Sequence, residues 1–138
     1  MKIYLAARYS RNAEMRAHRA VIEAYGDEVT SRWIDLHDGK YPGSFTREQV
    51  NHDPDYCSAI GLDDLDDIRS AEVVISFTEA DGGGKGGRHV EFGIGYGLGK
   101  RMVLVGPREH VFHTLPSIEW YPDWATFCTK WGYREAGS

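Results

Sequence analysis

The chain has 138 residues, of which 16 are Lys or Arg and 21 are Asp or Glu, so its formal net charge is −5 at pH 7. This length is typical of one domain, and we expect residues 1–138 to form it. The acidic balance argues against a general nucleic-acid or membrane-surface binder, because such proteins present a basic face.

The N-terminal segment MKIYLAARYS has one lysine, a short apolar run and then charge, which is typical of a buried strand rather than of a signal peptide. Cys57 and Cys128 are far apart in the sequence and in no metal-binding spacing. We therefore expect reduced thiols in a cytoplasmic protein.

The hydrophobic pattern alternates between strand and helix along the chain. The predicted strands are Lys2–Ala7, Glu28–Trp33, Val73–Phe77, Arg101–Val105 and a short one near Ile118–Trp120. The predicted helices are Asn12–Tyr25, Asp55–Ser70 and a C-terminal one that starts near Asp123. Between them, residues 34–54 read as a long irregular loop with one helical turn after Ser44. This order predicts an α/β fold, a flavodoxin-like three-layer sandwich with a five-stranded, mostly parallel sheet.

Residues 89–99 alternate apolar residues with glycine, which by period alone favours a strand. Parallel strands at 73–77 and 101–105 need a crossover, however, and this is usually a helix. We therefore predict a helix over Arg88–Leu98. Each interior glycine costs a helix about 0.5–1 kcal/mol relative to alanine, so three of them indicate a close neighbour. We expect that neighbour to be a helix of a second subunit.

In an open parallel sheet, ligands bind beyond the carboxyl ends of the strands where the strand order reverses. Residues 8–11, after the first strand, and 78–88, after the third, should meet there. The second segment is a glycine-rich loop that leads into a helix N-terminus, a place that favours anions. It matches neither the P-loop nor the GxGxxG pattern. The candidate phosphate contacts are Arg8, Ser10, Arg11, Lys85 and Arg88, although each arginine could instead form a surface salt bridge.

Three further side chains are candidates for chemistry at this edge. Glu91 lies on the first turn of the predicted glycine-flanked helix, and its carboxylate could be a nucleophile, a general base or a partner of the helix dipole. Asp64 lies in the run LDDLDDI, which is either a solvated charge cluster or a source of one carboxylate above the sheet. Tyr4 lies on the first strand, where a buried phenol needs a partner, either a carboxylate or a backbone group.

Metal and hydrolase motifs are weak. His89 and Glu91 match one half of the zinc-deaminase signature, but the sequence has no CxxC for the other half. His110 and His113 have no third ligand nearby in sequence. Neither a cysteine nor a serine lies in a nucleophile elbow. We therefore expect no metal, no cofactor and no Ser or Cys triad.

The sequence resembles the nucleoside 2-deoxyribosyltransferase family, which includes 2′-deoxynucleoside 5′-phosphate N-hydrolases and cytidylate N-glycosidases. The resemblance covers nearly the whole chain. It rests on the opening KIYLAA, on D-x-x-x-I-x-x-A-(D/E)-V-V at Asp64–Val74, and on G-x-H-V-E-x-G followed by GK at Gly87–Lys100. It implies that Glu91 attacks the anomeric carbon, that Asp64 assists at the leaving base, and that Tyr4 holds the nucleophile.

Together with the glycine-rich helix, the resemblance implies a homodimer or higher homo-oligomer that binds a small-molecule nucleotide or nucleoside. In its phosphate-using branch, the loop after the first strand and the loop before the glutamate, here with Gly86 and Gly87, hold the 5′-phosphate. A serine of the neighbouring subunit joins them, and Ser117 is the candidate. Classical transferases place an acidic residue six positions before the nucleophile, where this sequence has Lys85.

Lys85 and the two arginines after the first strand favour a nucleoside 5′-monophosphate as the substrate of an N-glycosidase. The resemblance favours its 2′-deoxy form, while the residues themselves leave ribose and deoxyribose open. One alternative is a deoxyribosyltransferase that exchanges bases on free nucleosides. Another is a nucleotide-binding module without turnover. The base is not identified by the sequence, because the loop aromatics could stack on it or could form a local hydrophobic cluster. Those aromatics are Trp33, His37, Tyr41 and Phe45.

Overall fold

The computed structural model describes residues 1–36, 47–81 and 86–134. Within these ranges the strands are β1 (Lys2–Ala6), β2 (Glu28–Val29), β3 (Val73–Phe77), β4 (Arg101–Val105) and β5 (Glu119–Tyr121). The α-helices are α1 (Asn12–Glu23), α2 (Arg47–His52), α3 (Pro54–Ser70), α4 (Gly87–Gly97) and α5 (Trp124–Trp131). Short 3₁₀ turns cover Tyr9–Arg11, Arg32–Asp35 and Val111–Thr114. None of the helices described has the length and apolar character needed to cross a bilayer.

The strands pair in parallel in the order β2-β1-β3-β4-β5. Helices α1 and α5 share one face of the sheet, where the ring of His18 stacks on that of Trp124 with 3.8 Å between centroids. Helices α3 and α4 pack together on the other face. This arrangement confirms the predicted α/β, flavodoxin-like fold. The strand order reverses between β1 and β3, so their carboxyl ends border the crevice where a ligand is expected.

The central strands form the core. Every residue of β3 is buried, and so is every residue of β1 and β4 after the first. Helices cover both faces of a parallel sheet, which is why these strands are continuous apolar runs rather than alternating ones. The same property made them easy to predict, and the bounds of β3 and β4 are confirmed residue for residue.

The second strand is shorter than predicted, because it ends at Val29 rather than at Trp33. One more backbone bond to β1 follows, from the Thr30 N–H to the Ile3 carbonyl at 2.8 Å, and beyond it side chains make the hydrogen bonds to β1. The hydroxyl of Ser31 accepts the N–H of Leu5 at 2.6 Å, and the indole N–H of Trp33 donates to the Leu5 carbonyl at 2.8 Å. Trp33 is only 1% exposed, so it belongs to the core. The loop residues His37, Tyr41 and Phe45 lie outside the described residues.

Residues 87–97 form the predicted crossover helix, and its glycines have two different environments. A Cβ on Gly95 would lie 2.7 Å from Val74 Cγ2 and 3.3 Å from Met102 Sδ, so the sheet itself is the close neighbour there. At Gly93 and Gly97 a Cβ would meet no heavy atom of the described chain within 4 Å. The expectation that a second subunit explains all three glycines is therefore wrong for Gly95.

This difference predicts the effect of adding one methyl group. Gly95→Ala should lower the free energy of unfolding by about 1–3 kcal/mol, because the new Cβ overpacks the contact with Val74. Gly61→Ala, in open space within α3, should raise it by about 0.5–1 kcal/mol through helix propensity alone. Urea unfolding followed by circular dichroism measures both. Equal stabilities for the two variants would contradict this packing of α4 on the sheet.

Candidate active site

Glu91 and Tyr4 meet on the face of the sheet that α3 and α4 cover. Tyr4 is in register with Val74 of β3, and the side chain of Val74 touches α4 at Gly95. In-register neighbours of a parallel sheet point to the same face, so the Tyr4 side chain also points to α4. Glu91 lies four residues before Gly95, one helical turn away on the same side of α4. Tyr4 is 0% exposed and Glu91 is 8% exposed.

The carboxyl group of Glu91 is held in an environment that favours its neutral form. Burial raises the pKa of Glu91 well above the ordinary range of a glutamate, and the negative charge of Asp64 raises it further. A hydrogen bond from the Tyr4 hydroxyl acts in the opposite direction, because it stabilises the ionised form. Of the two partners that the sequence left open for the Tyr4 phenol, this effect on the pKa favours the carboxylate of Glu91.

Asp64 projects from α3 as the second carboxyl group of the site. Burial raises the pKa of Asp64 to about 7, and the negative charges of Asp67 and Asp63 contribute to the rise while Arg32 opposes it. Asp67 is itself fixed, since its two carboxylate oxygens accept from the Arg32 Nε at 2.9 Å and from the Arg32 backbone N–H at 3.0 Å. Asp64 is the aspartate of the LDDLDDI run whose charge raises the pKa of Glu91.

Two neighbouring carboxyl groups with raised pKa values keep a proton to a higher pH than exposed carboxyl groups do. One of them can then donate that proton while the other acts as a base or a nucleophile. Paired carboxyl groups of this kind perform glycoside cleavage, in which a carboxylate stabilises the positive charge that develops on the sugar. The site therefore has the groups needed for acid-assisted cleavage of a glycosidic bond.

The predicted phosphate contacts at the carboxyl end of β1 differ in exposure and in whether they already form ion pairs. Arg8 is half-buried and forms no ion pair with any residue that the structure describes. Ser10 is exposed on the 3₁₀ turn that follows. Arg11 is paired, with Glu14 at 2.7 Å and with Glu79 at 3.3 Å.

Arg88 is also paired. Its guanidinium is 4% exposed and binds both carboxylate oxygens of Glu109, with 2.8 Å between Nη2 and Oε1. Gly86, in the left-handed region with φ +90°, precedes α4, and Gly87 is the first residue of that helix. Lys85 lies outside the described residues.

Ser117 does not join the other predicted residues within one chain. It is exposed in the turn that leads into β5, and β5 runs parallel to β4 with Glu119 opposite Val103. Ser117 therefore lies toward the amino ends of the strands, whereas Arg8 follows the carboxyl end of β1. Its predicted role requires a second subunit.

Three histidines form a cluster next to the start of α4 that was not predicted from the sequence. His89 lies beside His110 and His113, with ring centroids 4.7 and 5.7 Å away. Burial lowers the pKa of His113 to about 4 and also lowers that of His89, so both rings are neutral at pH 7. His89 precedes His110 by 21 residues, so the spacing of His110 and His113 along the chain gives no sign of this third ring.

The structure is similar to that of the CMP N-glycosidase BcmB of Clostridium botulinum. The TM-score is 0.60 with 18% sequence identity, and the match covers 96% of this chain and 98% of that chain. No protein-family model and no curated protein matches the sequence. At this identity the similarity shows a common fold over nearly the full length of both chains.

Proposed function

We propose that the protein cleaves the N-glycosidic bond of a nucleoside 5′-monophosphate, of the 2′-deoxy form, and releases the free base and the sugar phosphate. The observation that carries this proposal is the buried carboxyl group of Glu91 beside the acid Asp64 and the hydroxyl of Tyr4. The common fold with an N-glycosidase supports it. A pure binding module would gain nothing from two coupled carboxyl groups that are costly to bury.

In the first step, the ionised carboxylate of Glu91 attacks the anomeric carbon. The bond from this carbon to the base nitrogen breaks, its electron pair goes to the base, and the carboxyl group of Asp64 gives the base its proton. The sugar phosphate is then held as an ester of Glu91. Positive charge develops on the sugar ring in this step, and it offsets the burial penalty of the carboxylate.

In the second step, the Asp64 carboxylate takes a proton from water, and the resulting hydroxide attacks the anomeric carbon. The ester bond breaks, Glu91 leaves as a carboxylate, and Asp64 is again protonated for the next cycle. If another base instead of water attacks the ester, the product is a new nucleoside. The same residues therefore also support deoxyribosyl transfer, which is the second candidate function.

The 5′-phosphate would bind at the carboxyl end of β1 and at the start of α4. Arg8 is the arginine there without a described ionic partner, and the Ser10 hydroxyl and the backbone of Gly86 and Gly87 would complete the contacts. Lys85 belongs to the same loop and is proposed to share this role. Arg88 and Arg11 would orient the loop and its neighbours through their carboxylate partners rather than carry the phosphate alone.

The assay that tests this function is chromatography of the protein incubated with each nucleoside 5′-monophosphate and each free nucleoside, with and without a second free base. Release of base and sugar phosphate from a monophosphate alone is expected, and Glu91→Gln should abolish it. A new nucleoside that forms only with added base would favour the transferase. Turnover by Glu91→Gln at the wild-type rate would contradict the mechanism.

The raised pKa of Asp64 predicts a pH dependence. Because the proton donor is lost as Asp64 ionises, kcat/KM should fall by about tenfold per pH unit above about pH 7. Asp64→Asn should lower kcat by about 10²–10⁴-fold and remove this alkaline limb. Asp66→Asn is the control, since Asp66 is exposed on the same helix. An unchanged alkaline limb in Asp64→Asn would assign the titration to another group.

A variant of Arg8 separates a phosphate contact from a structural role. Arg8→Gln should raise KM for the monophosphate by about 10–100-fold, the range for one charge-assisted hydrogen bond, and leave the slow reaction of a free nucleoside unchanged. The matched control is Arg69→Gln, which removes one positive charge from the last turn of α3. An equal effect on both substrates would remove Arg8 from the phosphate site.

We also propose that the active form is a homodimer in which a second copy contributes its own Ser117. The open face of α4 supports this, because Val90 and Leu98 are 63% and 48% exposed there and Gly93 and Gly97 between them permit close approach. Sedimentation equilibrium should give twice the chain mass of 15.6 kDa. Gly93→Leu should shift it to the monomer, whereas a wild-type monomer at assay concentration would contradict the proposal.

A further inference from the structure

The histidine cluster brings three potential metal ligands together from two elements of the fold. His89 belongs to the first turn of α4, and His110 and His113 belong to the segment after β4. One ring nitrogen of each lies within 4.8 Å of the others. This cluster takes no part in the glycosidase mechanism, since Glu91 lies two residues beyond His89 and so points to a different side of α4.

Local structure explains why His110 and His113 face the same way. His110 precedes the 3₁₀ turn Val111–Thr114, and the N–H of His113 donates to the His110 carbonyl at 3.0 Å. The two rings lie side by side with 3.7 Å between their centroids. The pair therefore forms a preorganised two-nitrogen unit opposite His89.

The distance between two of the three ligand nitrogens suits a tetrahedral ion. His89 Nδ1 and His110 Nε2 are 3.2 Å apart. Two Zn–N bonds of about 2.0–2.1 Å at a tetrahedral angle place their nitrogens about 3.3–3.4 Å apart. When no metal is bound, the same two nitrogen atoms can share a proton in a hydrogen bond. The two rings can therefore keep this arrangement with or without the ion.

A carboxylate is in place to support the first of these ligands. If His89 coordinates through Nδ1, its Nε2–H faces Glu109 Oε1 at 3.7 Å. Metal-bound histidines commonly donate their second ring N–H to a carboxylate in this way. Glu109 is held by both guanidinium nitrogens of Arg88 and is oriented before any ligand arrives.

His113 supplies an independent indication. The residue is 1% exposed, and its Nε2 is buried without a hydrogen-bond partner in the described part of the chain. Buried polar atoms are nearly always paired, so an unpaired one requires an explanation. Its Nδ1 accepts the backbone N–H of Glu109 at 3.0 Å. Coordination through Nε2 moves the ring proton to Nδ1 and exchanges that hydrogen bond for a metal–nitrogen bond.

We propose that His89, His110 and His113 bind one transition-metal ion, with Zn²⁺ as the best match to three imidazole nitrogens. The ion would fasten the first turn of α4 to the segment after β4 and so fix the helix that carries Glu91. His89 is half-exposed, which gives the ion a path of entry from solvent.

The test uses chelator-treated protein and adds Zn²⁺ or Co²⁺ alone. Calorimetry should find one Zn²⁺ per chain, and Co²⁺ should give the visible absorption of a tetrahedral site. His89→Gln and His110→Gln should each weaken Zn²⁺ binding by more than about 100-fold, because even a supporting residue costs 10–100-fold. His52→Gln, an exposed histidine on α2, should bind as the wild type does.

Circular dichroism shows that each variant is folded, and no variant of the buried His113 is needed. In the amide NMR spectrum, Zn²⁺ should shift the Glu109 N–H, because its bond to His113 is exchanged. The proposal would be overturned if the wild type bound Zn²⁺ no more tightly than the His89→Gln and His110→Gln variants do. It would also be overturned if both variants still bound one Zn²⁺ per chain. Neither result depends on base release, so the glycosidase proposal stands or falls separately.

Discussion

The carboxyl group of Glu91 is buried beside that of Asp64, and two such groups cannot both ionise away from water without a large cost in free energy. This cost is confined to the place in the fold where Glu91 and Asp64 meet. Burial raises the pKa of Glu91 and the Tyr4 hydroxyl opposes that rise, while burial and the charge of Asp67 raise the pKa of Asp64 to about 7. In the proposed mechanism Glu91 ionises to act as the nucleophile and Asp64 donates the proton, and such a division of roles between two carboxyl groups is what cleavage of a glycosidic bond needs.

Packing of α4 against the sheet keeps the side chain of Glu91 next to that of Tyr4. The helix approaches β3 closely because Gly95 has no Cβ to meet Val74, and the same contact aligns Glu91 with Tyr4 one turn earlier. At its start the helix is held by the ion pair of Arg88 with Glu109, which is nine-tenths buried. A metal on the neighbouring histidines would add a second attachment at that end. The position of Glu91 thus depends on both the sheet and the segment after β4.

Apolar runs and topology were sufficient to predict β3, β4 and the helix 87–97, although the glycine alternation of that helix favours a strand by period alone. The early end of β2 was not predictable, because it depends on hydrogen bonds from Ser31 and Trp33 to Leu5, more than 20 residues away. The partners of Arg11 and Arg88 were hidden for the same reason, since Glu79 and Glu109 follow them by 68 and 21 residues. Residue type identified the basic candidates, but only three-dimensional structure distinguishes a paired arginine from an available one.

The most direct test of the mechanism is to look for the glycosyl ester on Glu91. The reaction with the preferred nucleoside monophosphate is quenched in acid during steady turnover, and intact mass and peptide mapping follow. A mass increase equal to the sugar phosphate, on the peptide that contains Glu91 and absent from Glu91→Gln, is the expected result. Turnover without any adduct, or an adduct on another residue, would contradict the role of Glu91 as the nucleophile.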